Sequence, residues 1–142
     1  MVAELTLSAD PRLMKVVRGV VNFFAGQVGF EDADAMNLML AVDEACTNII
    51  RHTYGGQPDK SICLRIESLA DRLELVLEDT GPPMPEGALE PRPPRHEGEE
   101  LKPGGLGTFF ITSIMDRVAY ESEPGRGNRL TLVKYRLKEH KA

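Results

Sequence analysis

The sequence predicts an α/β sandwich: a mixed, mainly antiparallel sheet with helices on one face. Three observations carry this expectation. Apolar periodicity switches along the chain in the order strand, two helices, two strands, helix, two strands. The strands come as two close pairs, at 61–78 and 118–137, which is the spacing of hairpins rather than of parallel crossovers. A single stretch, from Pro82 to Gly105, lacks any period and holds seven of the ten prolines. With 142 residues against a usual ~100–200 per domain, one domain over 1–142 is expected.

Each element follows from local patterning. Val2 to Leu7 alternates and reads as a short strand. Asp10-Pro11 supplies an N-cap followed by proline at the first helical position. Leu13, Val17, Val20, Phe24 and Val28 then mark one face of a helix from about Pro11 to Gln27, stopped by Gly29. A second helix is expected over Asp34–Tyr54, closed by Gly55-Gly56, with Leu38, Val42, Ala45 and Ile49 as its buried stripe. Strands follow at 61–68 and 73–78. The aperiodic stretch is a long loop, which in a compact domain is a functional lid or disorder. A helix over Leu106–Arg117 and strands at 118–122 and 130–137 complete the chain.

Composition narrows the function classes. The 17 basic residues are outnumbered by 22 acidic ones, for a net charge of -5. A dedicated nucleic-acid binder would carry the opposite balance. The two cysteines, Cys46 and Cys63, are too few for a disulfide framework and too far apart for a CxxC site, so both are expected to be buried free thiols. No leader-like N-terminus and no apolar run of ~18 residues occur, so a cytoplasmic protein without a membrane span is expected.

Three short segments carry chemistry. Glu44 and Asn48 lie one helical turn apart, about 40° from each other around the axis and roughly 80–120° from the buried stripe. An amide oxygen suits Mg²⁺, and a carboxylate one turn away can take a proton from a hydroxyl. Taken alone, the pair reads more readily as an ordinary polar helix flank. Asp79 and Gly81 end a strand; the acid can accept from an exocyclic amine while the glycine lets the backbone lie close to a flat ring. Asp-Thr-Gly-Pro is also plain turn chemistry. Gly104, Gly105, Leu106 and Gly107 open a helix, where free amides and the dipole favour phosphate. No strand immediately precedes these glycines and no Gly-Lys-Ser/Thr follows, so neither a Rossmann nor a Walker reading fits.

As an ordered set, the segments resemble the N box and the first and second glycine boxes of the GHKL ATPase superfamily, the histidine-kinase-like ATPase fold. The match is closest to the anti-sigma-factor serine/threonine kinases of bacteria. Ala41-Val42-Asp43-Glu44-Ala45-Cys46-Thr47-Asn48-Ile49-Ile50-Arg51-His52 looks like the N box. Asp79-Thr80-Gly81-Pro82-Pro83 looks like the first glycine box, with Pro83 in place of a second glycine. Gly104-Gly105-Leu106-Gly107 looks like the second, and Asn128-Arg129-Leu130-Thr131-Leu132 like the final strand. The resemblance implies Glu44 as general base and Asn48 as the Mg²⁺ ligand. It also implies a nucleotide contact set of Asn48, Asp79, Gly81, Gly104, Gly105, Leu106, Gly107 and Thr131, with ATP and Mg²⁺ as cofactors and residues 85–103 as a lid over the nucleotide. The partners it implies are a STAS-domain anti-anti-sigma protein, a sigma factor and a second copy of the chain, without direct nucleic-acid contact. The competing expectations are a non-catalytic nucleotide- or partner-binding module on the same fold, and an ATPase with no protein acceptor.

Overall fold

A computed structural model describes residues 1–85, 87 and 105–137, with the backbone alone for 105–109. The expected lid therefore lies, Pro85 and Gly87 apart, outside the described residues, as does Gly104. Among the described residues the sheet has five strands, β1 (Val2–Ser8), β2 (Ser61–Ser68), β3 (Arg72–Asp79), β4 (Arg117–Glu123) and β5 (Gly127–Tyr135). Their order is β1-β2-β3-β5-β4, and every neighbouring pair is antiparallel. The expected mixed sheet is thus wholly antiparallel. Helices α1 (Met14–Val28), α2 (Asp32–Asn48) and α3 (Gly105–Ile114) complete the fold, with α2 packed between α1 and α3.

Period-2 alternation decides the core. Ile62, Leu64 and Ile66 of β2, Leu73, Leu75 and Leu77 of β3, and Leu130 and Leu132 of β5 are buried together with the helix stripes. On α2 the expected stripe of Leu38, Val42, Ala45 and Ile49 is buried throughout. On α1, Val17, Phe24 and Val28 are buried, Leu13 and Val20 only half so, and Met14, Val21 and Ala25 join the core. The helix is rotated slightly from the expected face because it packs on both α2 and the sheet. Its start follows the expected signals. Asp10 accepts from Arg12 N at 2.9 Å ahead of a 3-10 turn at Pro11–Leu13, and the Arg12 side chain holds the Asp10 carboxyl down at about 2.

The second helix departs from expectation at its end. It is α-helical only to Asn48, and Ile49–Thr53 forms a π turn. Tyr54 N donates to Ile49 O at 2.9 Å, five residues back. The widened turn accommodates two adjacent buried isoleucines, Ile49 and Ile50, and turns Tyr54 inward to 5% exposure. The Tyr54 hydroxyl donates to Ser61 O (2.6 Å) and accepts from Thr80 N (2.9 Å), tying the helix end to β2 and to the segment after β3. Tyr54→Phe strands both backbone groups, and we expect it to cost about 1–3 kcal/mol. In urea unfolding this lowers the midpoint at unchanged slope; an unchanged midpoint contradicts the tie.

Two further boundaries moved for physical reasons. The α3 helix stops at Ile114 rather than Arg117 because Asp116 joins the sheet: its N donates to Val133 O at 2.9 Å, and its Oδ2 accepts from Tyr135 N at 2.7 Å. Strand β5 begins at Gly127, three residues before the expected Leu130, because it is hydrogen-bonded on both sides, to β3 and β4. Cys46 is buried, and burial pushes its thiol up to about 12, which makes it inert. Cys63 is only half-buried, contrary to expectation, because alternation turns it away from Ile62 and Leu64 and out of the core.

Candidate functional site

The early start of β5 builds the centre of the site. Strands β3 and β5 run antiparallel, so the end of one meets the beginning of the other, and Asp79 stands directly opposite Asn128. Both continue the inward series of their strands, and they are the two buried polar residues of the core, at 8% and 4% exposure among the described residues. Asn128 Nδ2 donates to Asp79 Oδ1 at 2.7 Å, with Gly81 O at 3.0 Å and Pro82 O at 3.2 Å. Asp79 Oδ1 also accepts from Gly81 N at 3.0 Å, closing a tight turn. Burial pushes the Asp79 carboxyl above its ordinary value, and the Asn128 and Gly81 hydrogen bonds oppose that rise.

Two glycines let the chain close around this turn. A Cβ on Gly127 would stand 2.2 Å from Asp79 O, and its φ of 105° is one that side chains rarely adopt. A Cβ on Gly81 would stand 2.3 Å from Thr53 Cγ2 and 3.3 Å from Tyr54 Cε1. The turn is therefore held between the start of β5 and the π turn that follows Asn48. This is how α2 and the ends of the central strands come to share one region.

Glu44 and Asn48 are both half-buried on one flank of α2, and neither side chain has a hydrogen bond or ion pair among the described residues. Gly105, Leu106 and Gly107 form the first turn of α3, which packs against α2. No cluster of three or more acidic, histidine or cysteine residues suited to a metal occurs among the described residues. Magnesium does not need one: it takes one or two protein oxygens beside nucleotide phosphates and water. An unpaired amide oxygen at Asn48 fits that pattern. The buried Asn128 Oδ1 has no hydrogen-bond partner among the described residues; it is a further acceptor beside Asp79.

Thr131 does not join this group. It pairs with Val76 and Ala119, one position out of phase with Leu130 and Leu132, and so faces the other side of the sheet. Asn128 occupies the place beside Asp79 instead. Sequence reasoning began the strand at Leu130 and, although Asn128 opens the segment that resembles the family's final strand, named Thr131 rather than Asn128 as a contact. Counting back in twos from Leu132 and Leu130 would have put Asn128 on the inner face.

The chain is thus an antiparallel α/β sandwich with a buried carboxylate at the end of its central strand. The histidine kinase-like ATPase domain model matches residues 7–134, and the chain belongs to that family. Among curated proteins it is similar to the serine-protein kinase RsbW of Bacillus velezensis, 31% identical over 126 residues, covering 86% of this chain and 79% of the relative. The serine-protein kinase RsbW of Halalkalibacterium halodurans is 32% identical over 128 residues, with 86% and 76% covered. That of Bacillus subtilis (strain 168) is 29% identical over 126 residues, with 86% and 79% covered.

Proposed function

We propose that the chain is an ATP-dependent serine/threonine protein kinase of anti-sigma-factor type. It phosphorylates a STAS-domain anti-anti-sigma protein and holds a sigma factor when that partner is phosphorylated. The observation that carries this reading is the buried Asp79–Asn128–Gly81 group, joined through Tyr54 to the helix that bears Glu44 and Asn48. Its serine-protein kinase relatives support the protein acceptor.

In this reading Asp79 accepts from the adenine amine, with Gly81 alongside the ring. Backbone amides of Gly105, Leu106 and Gly107, at the start of α3, face phosphate; Gly104 belongs to the same segment. Asn48 holds Mg²⁺ together with the nucleotide phosphates, and the metal, when bound, neutralises phosphate charge. Glu44 takes the proton from the acceptor hydroxyl as its oxygen bonds to the γ-phosphorus; the bond to the bridging oxygen breaks and ADP leaves. Little else is required, because phosphoryl transfer rests mainly on positioning and electrostatics. A homodimer is part of the same proposal, and the exposed Val16 and Phe23 of α1 offer apolar surface for it. So is a cytoplasmic location; among the described residues no helix is long and apolar enough to cross a membrane.

The test is incubation of the full chain with Mg-ATP and purified STAS-domain proteins. Phosphate on an acceptor serine or threonine is the expected result. Hydrolysis of ATP without acceptor labelling would favour a plain ATPase. Neither transfer nor hydrolysis would favour a non-catalytic binding module.

A further inference from the structure

We propose that Asn128 is a specificity-determining residue: its amide favours the ionised, acceptor-only form of Asp79, so that the site takes a purine bearing an exocyclic amine and refuses one bearing a carbonyl at that position. The proposal rests on the reading that Asp79 faces the base.

The geometry carries it. Three oxygens, Asp79 Oδ1, Gly81 O and Pro82 O, lie within 2.7, 3.0 and 3.2 Å of Asn128 Nδ2. That environment fixes the orientation of the amide, since the reverse would set oxygen against three oxygens. Asp79 Oδ1 then receives two donors, Asn128 Nδ2 and Gly81 N. Both bonds need lone pairs, so Oδ1 carries no proton; Oδ2 is left for the ligand, and the donation from Asn128 favours the carboxylate in which Oδ2 also stays unprotonated. An amine donates to a carboxylate oxygen; a carbonyl there would meet lone pair with lone pair. Sites built on a buried polar partner discriminate far more strongly than apolar pockets do.

Asn128 also opposes protonation of Asp79. Burial drives the carboxyl towards its neutral form, and without Asn128 only the Gly81 amide resists. A protonated Asp79 gains an O–H donor and can serve a carbonyl. Among the described residues the other groups near this end of the sheet are Tyr54, whose hydroxyl binds Thr80 N, and Tyr120 of β4. The Tyr120 hydroxyl is raised further above its usual range by burial and by Asp79, so it does not titrate near neutrality. Glu78 and Arg129 pair with each other on the far face of the sheet.

The experiment compares binding of ATP and inosine triphosphate, which carries a carbonyl in place of the amine, to the full chain across the neutral pH range. Wild type is expected to prefer ATP at least roughly tenfold, with a ratio insensitive to pH. In Asn128→Leu and Asn128→Ala the ratio should fall by most of that factor, with inosine triphosphate binding strengthening as pH drops. Asn128→Ser, which keeps a donor, should restore part of the preference; it also provides the readout if the apolar variants fail to fold. Equal loss of both nucleotides, with the ratio and its pH profile unchanged, would overturn the proposal and leave Asn128 a merely structural tie. A ratio unmoved by Asp79→Asn would overturn the base reading itself, and the proposal with it.

Discussion

Glu44→Gln is expected to lower phosphoryl transfer about 10²–10⁴-fold, the usual contribution of a positioned general base, while ATP affinity stays near the wild-type value. The asymmetry follows from where Glu44 stands. It lies on the flank of α2, one turn before Asn48, half-buried and outside the hydrophobic core. Gln is nearly isosteric and keeps the helix, so the change removes proton acceptance and little else. Single-turnover transfer to a STAS-domain acceptor, with ATP affinity measured alongside, separates the two effects. Unchanged transfer would remove Glu44 from the chemistry. Parallel loss of transfer and affinity would make it a binding residue instead.

Asp79→Asn should act on binding and oppositely on stability. Losing a charge-assisted hydrogen bond to the base costs about 1.5–3 kcal/mol, so ATP affinity should fall roughly ten- to a hundredfold. Stability runs the other way. Burial raises the folded-state value of this carboxyl above its ordinary 3.8, so folding favours the protonated acid. Its contribution is complete below the unfolded value and is lost as pH rises through the folded one. At neutral pH the ionised group is therefore a burden on the fold. The amide that replaces it still accepts from Gly81 N and Asn128 Nδ2 without that burden. The variant should unfold at a higher temperature than wild type at neutral pH, and the gain should shrink on acidification. Unchanged ATP affinity would show that Asp79 does not read the base.

This pairing of weakened function with a firmer fold is what a buried charge kept for recognition produces. Asp79 and Asn128 sit where Leu-rich strands would otherwise continue, and two glycines open the space around them. A protein selected for stability alone would fill that place with apolar side chains. Local unfolding of the turn is restrained by the Tyr54 hydroxyl, which uses both its hydrogen-bonding capacities on backbone groups of neighbouring segments.

Much of the architecture was legible because it rests on period. The α2 stripe at Leu38, Val42, Ala45 and Ile49 is buried as read, and β2 and β3 stand within a residue of the strands expected at 61–68 and 73–78, since each rests on a single dominant face. Element ends were less legible, because tertiary contacts decide them. The π turn depends on Tyr54 reaching Ser61 and Thr80, partners seven and twenty-six residues away. The start of β5 depends on two flanking strands rather than on Gly-Asn-Arg itself, whose local preference is for a turn. That one boundary mattered most: it left Asn128 outside the apolar alternation, while Thr131, named through the family resemblance, lies on a side of the sheet fixed by register alone. Glu44 and Asn48 needed only helical geometry, and so could be paired from the sequence.

The central claim is a metal-dependent nucleotide site in which Asn48 holds magnesium. Calorimetric titration of the full chain with ATP, with and without Mg²⁺, in wild type and Asn48→Ala tests it most directly. The account predicts Mg²⁺-dependent binding by the wild type that is lost in a folded Asn48→Ala variant. Metal-dependent binding that survives the substitution, or no binding by the folded wild type, would contradict it.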